Sequence, residues 1–416
     1  MKAPEIILPS RIAILREQPR QDIKVKNEEF SLYYRNFITP LYPWYDVVID
    51  CKYGKNLSNC WRITDYPEEI GEFPLAVKVY DADGELLSKK ETVIELVDQK
   101  STEPFKILCV GDSKTHHSIY VSHLQNRLYN VFTCGTRSFD GHVFFEGRGG
   151  WRYRHYFEKH SLKENERGAT TWVSPFLFPK GVEGKDYFGD MEFYEASQEP
   201  NRSTCCFNGF RLQEIKDGQY YCKGGKLYKH PEKTLVAENI EWEFSFKKYF
   251  ERNDIQGVNA VSVLLGGNDL CPENYESVEM IVSEYVANAK RFVEEVKKAD
   301  KNIAVIINLP ICSADQNGWA NVGGCVSTTK MHSYSIRKGA KALIDAFDNA
   351  EGVYLCPLLC SFDAENNFDK TTMRTNLYND TLVQIHNDNV HPNADGYRQI
   401  GDTLAAVVEK LRNKKD

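Results

Sequence analysis

Three short polar motifs in this sequence contain the residue types that nucleophilic catalysis needs. A Gly-Asp-Ser motif at 111–113 supplies a hydroxyl, and a Gly-Gly-Asn-Asp motif at 266–269 supplies a side-chain amide. Near the C-terminus, Asp388 precedes His391 by three residues. A serine hydroxyl is a weak nucleophile near neutral pH and needs an adjacent base. Histidine suits that task because its pKa lies near working pH, and a carboxylate can orient its ring.

A glycine-rich loop lies between the first two motifs, at 146–151, and contains Gly147, Gly149 and Gly150. Its backbone can approach a ligand closely, because glycine carries no side chain. Acyl transfer passes through a tetrahedral oxyanion, and removing one preorganised donor from such a site costs about 3–4 kcal/mol. A glycine N–H and the side-chain amide of Asn268 are suitable donors for that oxygen.

Two of the motifs directly follow runs that predict strands buried on both faces of a parallel sheet. Continuous apolar runs of this kind occur at 106–110, 258–265, 303–309 and 353–355. Apolar residues recur at helical spacing over 278–296 and 400–411. Strands that alternate with helices predict βαβ units and an open sheet with helices on both faces. Such sheets bind ligands beyond the carboxyl ends of their strands, where these motifs lie.

Each motif alone also has a purely structural interpretation. Ser113 could cap a helix, because serine between a strand and a helix is a common capping residue. His391 could be a hydrogen-bonded loop histidine that precedes the last helix. Asp112 and Asp269 are interpreted as residues that brace their own loops. The occurrence of all three motifs in one chain, two of them at strand ends, favours catalysis over this set of structural roles.

The order of Gly-Asp-Ser, a glycine loop, Gly-x-Asn-Asp and Asp-x-x-His resembles that of the SGNH hydrolases, also called GDSL-like esterases. The resemblance covers residues 105–416, with 152–250 as an insertion relative to a minimal member. It implies a flavodoxin-like three-layer α/β/α fold with a parallel sheet. It also implies that the chain is a serine esterase that hydrolyses acyl esters.

The resemblance further implies a role for each matching residue. Ser113 matches the nucleophile, and Asp388 and His391 match the other two members of a catalytic triad. The backbone N–H groups of Ser113 and Gly150 and the amide of Asn268 match three donors of an oxyanion hole. Among the three glycines of the loop, Gly150 is chosen for its position before a tryptophan. The mechanism implied requires no metal and no organic cofactor.

Residues 1–102 differ from the rest of the chain in their pattern of apolar and turn residues, and this pattern predicts a small all-β domain. Short runs of β-branched and aromatic residues occur at 30–37, 45–51, 61–64, 73–80 and 92–97. Their number and spacing predict an immunoglobulin-like β-sandwich. The polar segment 99–104 ends in proline and marks the boundary with a hydrolase domain at 103–416.

Some residues near the motifs have more than one interpretation. Lys114 is interpreted as part of a solvated helix start, with attraction of an anionic substrate as the alternative. Three histidines are interpreted as surface or supporting residues rather than metal ligands: His116, His117 and His142. Three aromatic residues are interpreted as core of the insertion, with a sugar-binding platform as the alternative: Trp151, Tyr153 and Tyr156.

The overall composition excludes some functions. The net charge of −7 and the pI near 5.9 leave no basic footprint for a nucleic acid. No apolar run approaches the roughly 20 residues of a membrane span. The first residues lack a signal-peptide core, so we expect a cytoplasmic protein, or a secreted one if a leader was trimmed. The 12 cysteines contain no Cys-x-x-Cys pair, which disfavours zinc; a Cys51–Cys60 disulfide stays open.

The expected substrate is a small-molecule or carbohydrate ester with a short acyl group, and acetyl on a sugar is one candidate. Two alternatives remain at this point. An acyltransferase would use the same triad, and a non-catalytic carbohydrate-binding protein would use the scaffold with a broken triad. The residues do not determine the oligomeric state.

Overall fold

The computed structural model describes residues 3–16, 29–158, 174–191, 214–323 and 327–413. Its N-terminal strands are β1 (Glu5–Ile6), β2 (Arg11–Arg16), β3 (Phe30–Tyr33), β4 (Ile38–Thr39), β5 (Asp46–Cys51), β6 (Lys55–Asn56), β7 (Cys60–Ile63), β8 (Gly71–Tyr80) and β9 (Leu86–Asp98), with a short helix α1 (Tyr34–Phe37). One sheet has the order β2-β9-β8-β5 and another the order β3-β7-β6, while β1 pairs with β4. The immunoglobulin-like sandwich and its limits at 1–102, part of which lies outside the described residues, stay predictions.

A parallel sheet forms the centre of the remaining chain. Its strands are β10 (Phe105–Gly111), β11 (Val131–Cys134), β12 (Glu146–Gly147), β19 (Ala260–Leu264), β20 (Ala304–Asn308) and β21 (Val353–Cys356). The order is β11-β10-β19-β20-β21, with β12 paired to the end of β10. All these pairs are parallel. Counted within this sheet, the five main strands have the 2-1-3-4-5 order of flavodoxin-like folds, as the sequence predicted.

Helices cover both faces of the sheet because successive strand residues point to opposite sides. Helices α6 (Val278–Ala299) and α8 (Thr329–Phe347) bury their apolar stripes with Leu108 and Val110 of β10. Helices α3 (Ile119–Arg127) and α10 (Ala394–Asn413) pack in the other cluster, with Ile107 and Cys109. The three-layer arrangement therefore follows from alternation within strands whose two faces are both apolar.

The predicted insertion contains both helices and strands. Its elements are α4 (Tyr153–Phe157), β13 (Leu177–Pro179), a 3₁₀ helix (Gly184–Asp186), β14 (Tyr187–Asp190), β15 (Tyr220–Lys223), β16 (Lys226–Lys229), β17 (Thr234–Ala237), β18 (Trp242–Phe244) and α5 (Phe246–Arg252). Its residues 159–173 and 192–213 lie outside the described ranges. Aromatic side chains join the insertion to helix α6, because Phe244 and Phe246 both pack on Phe292.

A long antiparallel hairpin precedes the last helix. It consists of β22 (Phe368–Asn376) and β23 (Asn379–Pro392). Residues 369–376 and 379–384, which form the outer part of the hairpin, are exposed. The short helices α2 (Ser113–His116), α7 (Gln316–Gly323) and α9 (Leu358–Ser361) complete the elements of the described chain. No apolar pattern in the sequence predicts this hairpin, which carries two of the predicted site residues.

The N-terminal strands are bonded closely to the parallel-sheet region. The Asn36 amide donates to the Phe362 carbonyl over 2.8 Å, and Ser10 donates its backbone N–H to Asp348 over 2.8 Å. The Arg337 guanidinium donates to the Asn36 carbonyl over 3.1 Å. Apolar residues of both regions also belong to one buried cluster. The two regions therefore share part of their core.

Two simple expectations can be compared with the structure. Cys51 and Cys60 are free thiols, so the disulfide that the sequence left open is absent. None of the helices in the described ranges combines the length and hydropathy of a membrane span.

Candidate active site

Ser113 lies at the carboxyl end of β10, where the chain turns into helix α2. The helix cap is Asp112 rather than Ser113, because the Asp112 carboxylate accepts from the backbone N–H of Lys114 over 2.9 Å. Asp112 is only 1% exposed. With the capping role filled, the Ser113 hydroxyl is available for another partner. Its backbone N–H belongs to the first helical turn, where N–H groups have no acceptor within the helix.

The structure brings together the three residues predicted as a triad. Ser113 Oγ lies 2.9 Å from His391 Nε2, and His391 Nδ1 lies 2.8 Å from Asp388 Oδ2. Asp388 Oδ1 accepts the backbone N–H groups of Val390 and His391, over 2.8 and 3.2 Å. Burial raises the pKa of Asp388, but the hydrogen bonds from His391 and Val390 outweigh it and hold the pKa below its ordinary value. An ionised Asp388 fixes the proton on Nδ1 and leaves Nε2 to accept from the serine.

The hairpin that carries Asp388 and His391 is fastened near its base. The buried His386 is hydrogen-bonded through Nδ1 to Asp315 and through Nε2 to the Glu365 carbonyl, the latter over 2.8 Å. The Asn389 amide donates to the Asp315 carbonyl over 2.5 Å. These bonds join β23 to the residue that precedes helix α7. They therefore set the position of the base relative to the sheet.

The glycine loop forms a tight turn beside the nucleophile. The Trp151 N–H donates to the Arg148 carbonyl over 3.2 Å, and Gly150 has a φ of +76°. This third position of the turn requires a positive φ, which favours glycine. Within the described residues, the N–H of Gly150 has no acceptor. Asn268 uses its side-chain amide to donate to the Trp151 carbonyl over 3.0 Å, so it also holds this loop.

A buried carboxylate supports the same loop from below. Glu146 pairs with Arg148 over 2.7 Å and accepts from the Tyr249 hydroxyl over 2.6 Å. Burial raises the pKa of Glu146, but the Arg148 guanidinium and the hydrogen bonds from Thr136 and Tyr249 together outweigh burial and hold the pKa below its ordinary value. The Tyr156 hydroxyl lies 2.8 Å from the Gly111 carbonyl and 2.7 Å from the Glu146 carbonyl. The insertion thus supplies two tyrosines that brace the site.

Sequence reasoning missed these bracing residues. Glu146 and Arg148 stand two positions apart in the glycine loop, and an acid and a base at that spacing were the available signal. Tyr156 and Tyr249 had no signal, because their partners are distant in sequence. Asp269 was expected to brace its own loop, but it accepts the Tyr153 N–H over 2.8 Å and so braces the neighbouring loop.

The histidines and aromatic residues near the site are mostly supporting residues. His116 is buried, and burial, with a smaller effect of Arg137, lowers its pKa to about 3. The His117 ring packs edge-on against His391 at 5.5 Å, and His142 is exposed. Among described residues, no group of three or more His, Cys, Asp or Glu side chains could hold a metal ion. The aromatic set of Trp151, Tyr153 and Tyr156 is buried, as expected for insertion core rather than a sugar platform.

Lys114 contradicts one interpretation of the sequence. It was expected at a solvated helix start, but it is only 5% exposed. Its ammonium points back to Asp112 Oδ2, 3.4 Å away. A buried lysine beside a nucleophile requires a physical explanation, because an unpaired charge is costly to bury.

Comparison with known proteins identifies the region that contains the second and third motifs. The family model described as GDSL-like Lipase/Acylhydrolase matches residues 234–404. The matched range includes Asn268, Asp388 and His391, whereas Ser113 precedes it and reaches it through the hydrogen bond to His391. No curated protein matches the chain.

Several solved structures resemble the chain at low sequence identity. A carbohydrate acetylesterase family member from Sinorhizobium meliloti is 14% identical, with a TM-score of 0.32 over 74% of this chain and 99% of that one. The family 3 carbohydrate esterase from Clostridium thermocellum is 13% identical, with a TM-score of 0.34 over 76% and 100%. A peptidoglycan O-acetylesterase is 12% identical, with a TM-score of 0.29 over 76% and 93%. TM-scores below 0.5 do not by themselves establish a shared fold.

The 2-1-3-4-5 parallel sheet, the motifs at its carboxyl edge and the match over residues 234–404 together make this chain similar to GDSL-like lipases and acylhydrolases.

Proposed function

We propose that this chain is a serine esterase that forms an acyl-enzyme at Ser113. The proposal rests chiefly on one observation, the continuous hydrogen-bonded series from Ser113 Oγ through the His391 ring to the Asp388 carboxylate. Serine, histidine and aspartate in this geometry act as nucleophile, general base and orienting acid.

The proposed reaction has two stages. Ser113 Oγ attacks the acyl carbon while its proton moves to His391 Nε2, and the resulting tetrahedral oxyanion collapses by expelling the alcohol. The leaving oxygen takes the proton from His391 Nε2, which leaves an ester between Ser113 and the acyl group. His391 then removes a proton from water, the hydroxide attacks this ester, and Ser113 Oγ departs with the proton returned from His391.

Three N–H donors are proposed for the oxyanion: the backbone N–H groups of Ser113 and Gly150 and the side-chain amide of Asn268. The Gly150 N–H has no acceptor among described residues, and the positive φ of Gly150 is part of the turn that presents it. Asn268 donates one amide hydrogen to the Trp151 carbonyl, and its second amide hydrogen can be donated to the oxyanion. Donors fixed before reaction stabilise the developing charge without reorganising.

For the substrate, we propose a short acyl ester, with an acetyl group on a carbohydrate as the first class to test. The basis is the family resemblance of the motifs, which does not specify the alcohol. A panel should therefore compare acetylated sugars with esters of longer acyl chains. Hydrolysis of long-chain esters at rates above those of acetyl esters would remove the short-acyl part of the proposal.

The first experiment is labelling with a fluorophosphonate probe followed by peptide mapping. We expect modification at Ser113 in the natural sequence and none in Ser113→Ala, which should remain folded but lose turnover of an activated acetyl ester. Ser138→Ala is a matched control, because Ser138 is also largely buried and accepts from Gly141 in a loop outside the triad. Retained turnover in Ser113→Ala, or labelling at another serine, would show that the nucleophile is elsewhere.

An acyltransferase would contain the same triad and form the same acyl-enzyme. Product analysis with and without an added alcohol separates the two activities. A hydrolase releases free acid in both cases, whereas a transferase moves most of the acyl group onto the alcohol.

A further inference from the structure

The ammonium of Lys114 lies close against the backbone of Gly267. A Cβ atom built on Gly267 would lie 2.7 Å from Lys114 Nζ and 3.5 Å from Asp112 Oδ2. Real Cβ atoms essentially never come within about 3 Å of a neighbour, so a side chain at position 267 would displace the Lys114 ammonium from its place beside Asp112. Lys114 follows the nucleophile directly, and Gly267 directly precedes Asn268. One side chain therefore connects the strand end that carries Ser113 with the strand end that carries Asn268.

Stability alone does not explain this buried pair. The Lys114 and Asp112 side chains are 7% and 1% exposed, and their charged atoms are 3.4 Å apart. Replacing a buried ion pair with apolar side chains of similar volume is often neutral or stabilising, because desolvation offsets the attraction. The buried pair therefore suggests a role other than stability.

The Gly267 backbone also has a second side-chain partner, His332. The buried His332 ring places Nε2 at 3.3 Å from the Gly267 carbonyl and Nδ1 at 3.2 Å from the Ser313 hydroxyl. Because a carbonyl only accepts, Nε2 carries the hydrogen and donates to it. The indole of Trp319 stacks on this ring at 4.1 Å. Gly267 is therefore close to both the His332 imidazole and the Lys114 ammonium.

The positive charge of Lys114 offsets the negative charge of the buried Asp112 carboxylate. That carboxylate is buried one residue before the nucleophile, and a negative charge there opposes the oxyanion that forms in the transition state. The ammonium next to it offsets that charge where the low dielectric strengthens electrostatic effects. It also fills the space over Gly267, which limits displacement of Asn268 relative to Ser113.

We propose that Lys114 is a positioning residue for the oxyanion donors: seated over Gly267 and beside Asp112, it fixes the Asn268 loop against the Ser113 turn and neutralises the buried carboxylate. This inference rests on the proposed function, because it concerns the same reaction. Lys114 acts through Asp112 and Gly267 and does not touch the substrate.

The principal test measures kcat and KM for an activated acetyl ester in three variants. Loss of one oxyanion donor lowers kcat by about 100- to 1,000-fold in comparable sites, so a displaced donor in Lys114→Met should cost about 10- to 100-fold. KM should change little, because the interaction acts mainly in the transition state. Lys114→Arg keeps the charge and should retain more activity than Lys114→Met. The double variant Asp112→Asn, Lys114→Met removes both charges and keeps the capping acceptor, so it should be faster than Lys114→Met alone.

Lys180→Met is the matched control, because Lys180 forms an exposed ion pair with Glu241 away from the motifs. It should leave kcat and KM unchanged. A Lys114→Met variant with kcat within twofold of the natural chain would overturn the inference. So would a double variant that is no faster than Lys114→Met, since the charge of Asp112 would then be irrelevant.

A second variant keeps the inference testable if Lys114→Met does not fold. Gly267→Ala pushes on the same ammonium from the other side, and we expect it to lower kcat at unchanged KM. An unchanged kcat in Gly267→Ala would contradict the proposed contact. Fluorophosphonate labelling separates the two levels: absent labelling of Ser113 in the natural chain refutes the proposed function, whereas normal labelling with an unaffected Lys114→Met refutes only this inference.

Discussion

The nucleophile side of the candidate active site is buried and densely bonded, whereas the base side stands at the foot of an exposed hairpin. Around Ser113, the buried polar residues Asp112, Lys114 and Glu146 all have hydrogen-bonded or charged partners. On the other side, the Asp388 and His391 side chains are 35% and 33% exposed. The two sides meet at the bond between Ser113 Oγ and His391 Nε2.

This difference matches the tasks that the proposed function gives to the two sides. Oxyanion donors must be fixed before the reaction begins, and burial within a parallel sheet supplies that rigidity. A general base must exchange protons with alcohol and water, so partial exposure suits His391. The comparison predicts that changes on the base side affect turnover more than folding, and that changes on the nucleophile side affect folding as well.

The largest expected effect is on the base side, in Asp388→Asn. An amide at this position permits the wrong histidine tautomer, and comparable changes in other triads lower kcat by about 10,000-fold. Stability should change little because the residue is partly exposed. The measurement is turnover of an activated acetyl ester together with thermal unfolding. Asp380→Asn, at an exposed ion pair with Arg374 on the same hairpin, is the control and should keep full activity. Equal activity of the two variants would contradict the prediction that turnover depends on Asp388.

On the nucleophile side, Glu146→Gln should destabilise the fold by about 3–5 kcal/mol, because it leaves the buried Arg148 charge uncompensated. Urea unfolding measures the loss. Glu241→Gln removes the acid of an exposed pair with Lys180 and should leave the urea midpoint nearly unchanged, because solvent screens exposed ion pairs. If the two variants were equally stable, the Glu146–Arg148 pair would not contribute to the stability of the fold.

The hairpin anchor should give an intermediate effect. His386→Ala removes the hydrogen bonds that the buried His386 ring makes to Asp315 and the Glu365 carbonyl, at a cost of about 2 kcal/mol for the two lost bonds. We also expect kcat to fall about tenfold, since a small misplacement of a catalytic group is costly. His142→Ala, at an exposed histidine, is the control for both measurements. Unchanged kcat would mean that the hairpin base holds His391 without this anchor.

The smallest effect concerns pH and the buried His332. Burial lowers its pKa to about 4, while the Gly267 hydrogen bond opposes that shift. As pH falls below about 6.5, the unfolded chain binds a proton at this residue but the folded chain does not, so stability declines until about pH 4. The loss from this residue should be about 1 kcal/mol between pH 6.5 and 5.5. His332→Gln should flatten the slope of unfolding free energy in that window; an unchanged slope would show that His332 does not contribute.

Much of the sheet could be predicted from the sequence, as could the residues that meet at the candidate site, because both have local signals. The apolar runs at 106–110 and 303–309 correspond to β10 and β20 within a residue or two. The stripe over 278–296 corresponds to helix α6. Such elements are predictable because burial on both faces of a sheet, or on one face of a helix, leaves a pattern within a few residues.

Features that depend on distant partners could not be predicted. Nothing next to Lys114 in the sequence shows that Gly267 leaves space for its ammonium. Tyr249 lies 103 positions from Glu146, so their bond has no local signal. Hairpin strands β22 and β23 are largely polar and exposed, and they lack the alternation that burial on one face imposes.

The hairpin also offers a position at which the chain could be cut into two parts that each carry some of the candidate site. Its tip, at Leu377 and Tyr378, is 79% and 94% exposed, and it separates the segment that contains Ser113 from the segment that contains His391. A chain cut at the tip would yield two fragments with the nucleophile on one and the base on the other. Ester turnover would then require the fragments to reassociate along β22 and β23, so the enzyme could serve as a split reporter of contact between fused partners.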